Sequence, residues 1–330
     1  MPIDPVPFLT VPDRFTPEKG DCWPLALDPE TGIISLLDPP GPLEMAAHYR
    51  HNAYSPHLQK AESIPDRLYL AASALLLHRR ARLVAKGITD PGKARVLEIG
   101  CARGTLLEHL ALHHGFSRSN MIGIEPDPAS ASFARERFKL TLYPSLSDLP
   151  PLSGPFQRIV LWHALEHLPE LDAALEQLSR LLAPEGRLLI ALPNPSGLDA
   201  AHYGPDWVAW DAPRHLWHFP SGTLERLAET YGLRRMTFKA WAPDALFNAY
   251  MSEELRCRRG KQGMHAGRKA LALLKGGLFA LRGMLKTEDG AGIVREFRRG
   301  KEAPGVQFSP AGDGVRPSER SSATSADRQS

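Results

Sequence analysis

Residues 94–110 read A-R-V-L-E-I-G-C-A-R-G-T-L-L-E-H-L, and residues 121–127 read M-I-G-I-E-P-D. The apolar run Arg95–Ile99 is closed by Gly100, after which Leu106, Leu107, Leu110 and Ala111 recur at helical spacing. This is strand, glycine turn, helix. A second apolar run, Met121–Ile124, ends on Glu125, about 20 residues past the glycines. Glycines at such a turn let the backbone approach a ligand, and the helix N-terminus offers unpaired N–H groups. An acidic residue closing the next strand can take two ribose hydroxyls. A dinucleotide-binding turn would read G-x-G-x-x-G; here the register is G-C-A-R-G, with Glu98 just before it.

Outward from that stretch, strand and helix patterns alternate. Strands are expected at Arg95–Ile99, Met121–Ile124, Leu140–Tyr143, Arg158–Trp162, Arg187–Leu192 and Leu233–Lys239, with helices at Thr105–His114, Pro128–Phe138, Leu171–Leu182 and Gly222–Tyr231. Such alternation builds βαβ units and a parallel sheet, in which ligands sit beyond the carboxyl ends of the strands. The residues at those ends are Gly100 to Gly104, Glu125-Pro126, Ser147-Asp148-Leu149, Trp162-His163 and Pro193-Asn194-Pro195.

Upstream, residues 1–45 are proline-rich without a period, save a turn into a short strand at Gly32–Leu37. Leu43 to about Ala85 reads as helical, with breaks near Ser55-Pro56 and Ile64-Pro65. Tyr49, Tyr54 and His57 lie in its first part, either packing this arm onto the domain or reaching over the ligand mouth, and Leu68–Leu83 is an apolar helix expected against the sheet. Downstream of Ala242 the chain turns basic, with 13 Lys and Arg against three acids over 255–301. Within it Leu271, Leu274, Leu278, Leu281 and Leu285 fall on one helical face beside Arg268, Lys275 and Arg282. Such a helix either packs with a solvated cationic edge or lies on an anionic membrane surface. Gly276-Gly277 weakens it. A last antiparallel edge strand is expected at Ile293–Arg298, and disorder over 302–330. The organisation expected is an arm (1–60), a catalytic domain (61–245), a basic helical extension (246–300) and a tail (301–330).

Composition narrows the class. Hydrophobic residues make up 43% and charged residues 23%, ordinary for a soluble globular chain. Cys22, Cys101 and Cys257 are too scattered for a disulfide framework or a metal spacing, and no apolar run is long enough to span a bilayer. The beginning M-P-I-D-P has no secretory pattern, so a cytoplasmic location is expected, with peripheral contact on the inner membrane surface as an option. A net charge of +3 does not by itself imply nucleic acid.

Two further runs complete the pattern: L-W-H-A-L-E-H-L over 161–168 and W-V-A-W-D-A-P-R-H-L-W-H-F over 207–219. With the E-x-G-x-A-x-G turn, they resemble a bacterial branch of the class I S-adenosylmethionine (SAM)-dependent methyltransferases, over roughly residues 30–255. The resemblance implies an α/β, Rossmann-like, doubly wound and mostly parallel sheet with an N-terminal arm and a C-terminal helical insertion. It implies SAM as cofactor. Glu98, Gly100, Cys101, Ala102 and Gly104 would cradle its methionine end, Glu125 and Pro126 its ribose, and Ser147, Asp148 and Leu149 its adenine. Trp162 and His163 would close the pocket. Ala102 stands where relatives carry the middle glycine, so its φ decides whether the methyl group is tolerated. Gln157 stands where relatives usually have Asp, a position read as structural. Relatives often begin with a cysteine-rich zinc segment of which only Cys22 remains, so no metal is expected.

A hydroxyl acceptor must lose a proton, and a histidine of near-neutral pKa suits that. His163 is the first candidate base, His215 the second, and Asp211 a third catalytic candidate. Asp211, Arg214, His215 and His218 either bind acceptor or hold their own loop together. Trp207, Trp210 and Trp217 serve equally well as packing, and Glu166 and His167 are read as structural. His113-His114 reads as an exposed helix end. The acceptor expected is a small molecule, glycan or lipid-linked compound methylated at oxygen, with no nucleic acid. The rival readings are a SAM-binding module without catalysis and a protein or nucleic-acid methyltransferase docking through its basic segment.

Overall fold

Val96–Ile99 is buried at all four positions because this strand lies inside a seven-stranded sheet covered on both faces. The structure, a computed structural model, describes residues 4–49 and 64–300. In chain order its strands are β1 (Val6–Pro12), β2 (Cys22–Leu27), β3 (Ile34–Leu36), β4 (Val96–Ile99), β5 (Met121–Ile124), β6 (Thr141–Tyr143), β7 (Phe156–Trp162), β8 (Leu182–Pro193), β9 (Trp217–His218), β10 (Leu233–Ala240) and β11 (Gly292–Arg299). The helices are α1 (Pro42–Tyr49), α2 (Ile64–Ala85), α3 (Thr105–His114), α4 (Pro128–Phe138), α5 (Leu171–Leu181), α6 (Leu198–Tyr203), α7 (Thr223–Thr230), α8 (Pro243–Arg259) and α9 (Ala266–Leu285).

The large sheet has the order β10-β11-β8-β7-β4-β5-β6. Strands β6, β5, β4, β7 and β8 pair in parallel, while β11 is antiparallel to both β8 and β10. Strand order reverses between β4 and β7, so their carboxyl ends flank the crevice where such sheets hold ligands. One face packs Leu97, Ile99, Leu161 and Ile190 under Leu175, Leu178 and Leu224 of α5 and α7. The other packs Val96, Met121 and Val160 under α2, α3 and α4 through Ala81, Leu107, Leu110 and Ala134. This is the doubly wound α/β fold that the strand and helix alternation implies.

Three features differ from the sequence reading. The last strand is not an edge: β11 enters between β8 and β10, with Phe297 and Arg295 fully buried. The basic segment is therefore an α8–α9 hairpin inserted between two strands of the sheet, not an extension appended to it. The proline-rich start forms β1, β2 and β3, which with β9 make a second, antiparallel sheet. Pro7 and Pro12 mask its alternation and are tolerated because β1 lies at a sheet edge. In α9 the leucine face turns outward: Leu274, Leu278 and Leu285 are 62%, 55% and 76% exposed. Its buried side is Ala272, Gly276 and Gly283. A Cβ at Gly276 would stand 2.9 Å from the Leu246 Cα, so the glycine that weakens the isolated helix is what lets α9 seat closely on α8. Tyr54, His57 and the expected disordered tail lie outside the described residues.

Candidate active site

The turn after β4 is pinned to β5. The amides of Gly100 and Cys101 both donate to the Ile124 carbonyl, at 2.9 and 3.1 Å. Gly100 is left-handed (φ 69°), and a Cβ there would come within 2.9 Å of Ala164 Cβ, so the turn lies hard against the loop after β7. Ala102 is also left-handed, at φ 47°. An L-residue held there costs about 1 kcal/mol against glycine. Its amide donates to Glu125 Oε2 at 2.8 Å, and the Asp127 amide donates to Oε1 at 2.8 Å. Burial raises the Glu125 pKa, and these two amides oppose the rise. Gly104 (φ 70°) faces Leu140 and Ala134, so its missing side chain serves packing of the turn on α4. The Cys101 side chain also points into the core beneath β5, leaving only its backbone on the turn. Helix α3 begins with no side-chain cap, so its first N–H groups carry no side-chain acceptor.

Glu98 is 6% exposed, and its Oε2 has no hydrogen-bond partner among the described residues. Burial pushes its carboxyl up to about 8, with Arg80 pulling down and Glu125 pushing up. A buried carboxylate oxygen without a partner fits a ligand bearing positive charge. Pro126 is exposed beside Glu125. In the turn after β6, the Ser145 hydroxyl donates to Asp148 Oδ2 at 2.6 Å and meets Ser147 Oγ at 2.7 Å, while Leu149 is buried beneath. The sites expected around a nucleotide thus share one rim of the sheet, at the carboxyl ends of β4, β5 and β6.

At the end of β7, Trp162 packs edge-on against Trp241 at 4.8 Å, with the Arg80 guanidinium 4.5 Å from its ring centre. His163 follows in a left-handed conformation, φ 52°. Strain of this kind is held only where the surroundings over-determine it. Its Nε2 is 3.3 Å from Asp244 Oδ2 and its Nδ1 3.4 Å from Glu166 Oε1. Burial draws its pKa down, but Asp244 and then Glu166 carry it up to about 10. Both ring nitrogens therefore face carboxylates, an arrangement that favours the protonated ring over the neutral form that a base needs.

The 207–219 loop is a different object. Arg214 is fully buried, with Nη2 2.7 Å from Asp211 Oδ1 and 2.8 Å from Asp13 Oδ1. Arg14 also reaches Asp211, at 2.8 Å. Trp207 donates to Asp199 Oδ2 and Trp210 to the Gly204 carbonyl, so both indoles are structural. Trp217 donates to the Leu168 carbonyl. His218 is buried, its pKa lowered to about 3 by burial and then His167, and His215 is lowered well below the usual histidine value by burial and then His167 and His218. The network binds the small sheet to the domain; Asp211 and Arg214 are consumed in it, which removes Asp211 from the catalytic candidates. His215 is neutral but 8% exposed, with Nδ1 bonded to the Ala209 carbonyl at 2.9 Å. Tyr49 of α1 adds a bond to His167 Nδ1 at 2.8 Å, so this part of the arm packs on the loop.

Sequence reasoning missed Arg80, Trp241 and Asp244. Asp244 sits in the first turn of α8 behind Pro243, a helix-start signal that says nothing of the histidine it meets. A Cβ on Gly292 would strike the Asp244 carboxylate, so the glycine in β11 makes room for that meeting. Arg80 is hidden in a run of surface-like arginines and is placed only by the packing of α2.

Comparison with known proteins places the chain among methyltransferases. A family model described as a methyltransferase domain matches residues 69–236. The chain is 30% identical over 139 residues to a ubiquinone biosynthesis O-methyltransferase of Xanthomonas oryzae pv. oryzae, covering 39% of this chain and 56% of that protein. It is also 30% identical over 147 residues to the biotin biosynthesis bifunctional protein BioCD of Bordetella avium, covering 44% and 28%. The chain spans about half the length, or less, of the curated relatives it matches. Among solved structures, geranyl diphosphate C-methyltransferase from Streptomyces coelicolor A3(2) aligns with a TM-score of 0.47 at 17% identity, over 73% of this chain and 86% of that one.

Proposed function

The chain belongs to the methyltransferase-domain family and is a SAM-dependent methyltransferase, and on that premise we propose that it methylates a hydroxyl oxygen of a lipid-linked small molecule or glycan presented at an anionic membrane surface. When bound, the cofactor supplies a methyl carbon activated by positive sulfur. Glu98 would face that positive charge, Glu125 would take the ribose hydroxyls, and the Ser147–Leu149 turn would border the adenine. Methyl transfer demands alignment above all, and the strained, doubly pinned turn at Gly100–Ala102 and the clamped His163 supply rigid walls for it. His163, held between Asp244 and Glu166, would face the acceptor side, and the His163–Asp244 pair would take up the hydroxyl proton as a unit.

The observation that carries the lipid-linked reading is the outward leucine face of α9. Leu271, Leu274, Leu278, Leu281 and Leu285 are each about half exposed or more, and the row of Arg268, Lys275 and Arg282 runs beside them. An apolar face bordered by cations matches an anionic bilayer surface. No helix among the described residues is long and apolar enough to cross a membrane. Co-sedimentation with phosphatidylglycerol-rich vesicles checks this. Wild type is expected to pellet with them, and Leu274→Ser with Leu278→Ser to stay in the supernatant while remaining folded. Wild type left in the supernatant would end the lipid-linked reading.

Docking of nucleic acid through the basic segment finds less support. Arg256 and Arg259 pair with Asp206, Arg258 with Glu18, and Arg295 with Glu225. These cations are engaged within the fold. A module that binds SAM without turnover draws on the strained Ala102. The acid-rich, strained surroundings of His163 weigh against it, because a site kept only for binding has no need of them.

A further inference from the structure

Glu166, His167 and His215 each offer one ligand atom, and the three atoms lie within 4.8 Å of one another. Glu166 is 1% exposed, and neither of its carboxylate oxygens makes a hydrogen bond among the described residues. His163 Nδ1 stands 3.4 Å from Oε1. A carboxylate so enclosed needs compensating charge.

The two histidines are prepared in the way metal-binding imidazoles are. His167 Nδ1 lies 2.9 Å from the Arg214 carbonyl, and His215 Nδ1 lies 2.9 Å from the Ala209 carbonyl. A carbonyl can only accept, so His215 Nδ1 carries the proton and its Nε2 keeps its lone pair, whereas His167 Nδ1 also meets the Tyr49 hydroxyl at 2.8 Å and its tautomer is set by both contacts. A carbonyl on the far nitrogen is the outer-shell contact that fixes the tautomer of a metal-ligating histidine. The rings stand 4.6 Å apart at 76°. Asp211 Oδ2 is 3.9 Å from His215 Nε2, acceptor facing acceptor, an arrangement that a cation between them relieves. Ligand atoms around tetrahedral zinc are separated by roughly 3.3 Å, so small side-chain movements close the set.

We propose that Glu166, His167 and His215 form a binding site for one divalent transition-metal ion of the zinc type, adjoining His163 at the end of β7. Two imidazoles and one carboxylate are the donors of His₂Glu zinc sites and suit first-row ions. The inference does not depend on the acceptor reading, because its readout is metal binding. A second histidine group must be told apart from it: His78 of α2 with His109 and His114 of α3, near the surface, where His78 Nδ1 is 3.3 Å from His109 Nε2.

The test is titration of the full chain, stripped with EDTA, with Co²⁺ followed by its visible ligand-field bands. His109→Ala is expected to retain one bound cobalt per chain, and Glu166→Gln and His215→Asn to weaken it by at least roughly 100-fold. Loss in His109→Ala with retention in Glu166→Gln would overturn the proposal, as would no cobalt uptake by wild type. If the buried variants fail to fold, X-ray absorption on wild-type cobalt protein decides. Two imidazoles and a carboxylate support the site, and three imidazoles alone refute it. SAM titration of the same samples keeps a failure here distinct from a failure of the methyltransferase reading.

Discussion

Two stretches of this chain look equally catalytic in the sequence, and the structure gives them opposite characters. The rim around Gly100, Glu98 and His163 is left unfinished: among the described residues Glu98 Oε2 and the Trp162 and Trp241 nitrogens have no hydrogen-bond partner, and Ala102 and His163 are left-handed. In the 207–219 loop Arg214 and Asp211 are instead joined with Asp13 and Arg14 in one ion network and the three indoles all donate to acceptors, so that its open positions are confined to the histidines. Unsatisfied and strained groups are tolerated where a ligand completes them; satisfied networks hold a fold together. A density of His, Asp and Arg therefore does not by itself mark a reaction centre. Whether those groups already have partners does.

The largest test removes the centre of that ion network. Arg214→Ala leaves Asp13 and Asp211 buried with their main partner gone, and should lower unfolding free energy by about 3–5 kcal/mol in urea titration. A folded variant of unchanged stability that fails to turn over would move the loop from scaffold to site. The counterpart on the open rim should run the other way. Because the folded pKa of Glu98 is about 8, above the ordinary value of 4.5, its ionisation opposes folding increasingly as pH rises between them. Glu98→Gln should match wild type near pH 4.5 and exceed it by roughly 2–4 kcal/mol at pH 8, measured without cofactor, while binding SAM more weakly. Urea midpoints for the two proteins that shift in parallel across that range would show that the carboxyl is not penalised by burial.

A smaller effect, about 1.5–3 kcal/mol or roughly 10–100-fold in Kd, is expected by calorimetry for SAM and S-adenosylhomocysteine binding to Glu125→Ala. Full affinity in that variant would detach Glu125 from the ribose. The smallest is Ala102→Gly, which relieves the left-handed alanine and should stabilise the protein by about 0.5–1 kcal/mol in thermal unfolding. Destabilisation instead would mean that the turn depends on the methyl group.

Much of the fold was legible from residues alone. Met121–Ile124, Thr105–His114 and Pro128–Phe138 appear at the expected bounds, because each is a short periodic run between clear stop signals. The glycine turn and Glu125 were legible for the same reason, since their relation is local to one strand–turn–helix unit and its neighbouring strand. The small sheet was not, because prolines break the alternation of β1 and β2 and pairing with β9 spans nearly 200 residues of chain. The outward leucines of α9 were not legible either. Periodicity identifies an apolar face but not what covers it, and Ala272, Gly276 and Gly283 compete for the inside by allowing the closer approach.

What the sequence by itself determined is therefore the alternation of strands and helices in the large sheet, the glycine turn after its β4 strand and the family, all of which rest on neighbours in the chain. Only the tertiary structure decided the charge on His163, the burial of Asp211 with Arg214, and the meeting of Glu166 with two histidines. Those depend on Asp244, Asp13 and His215, which folding brings from distant segments, and the charge of an ionisable group is set by what stands within a few ångströms of it in space.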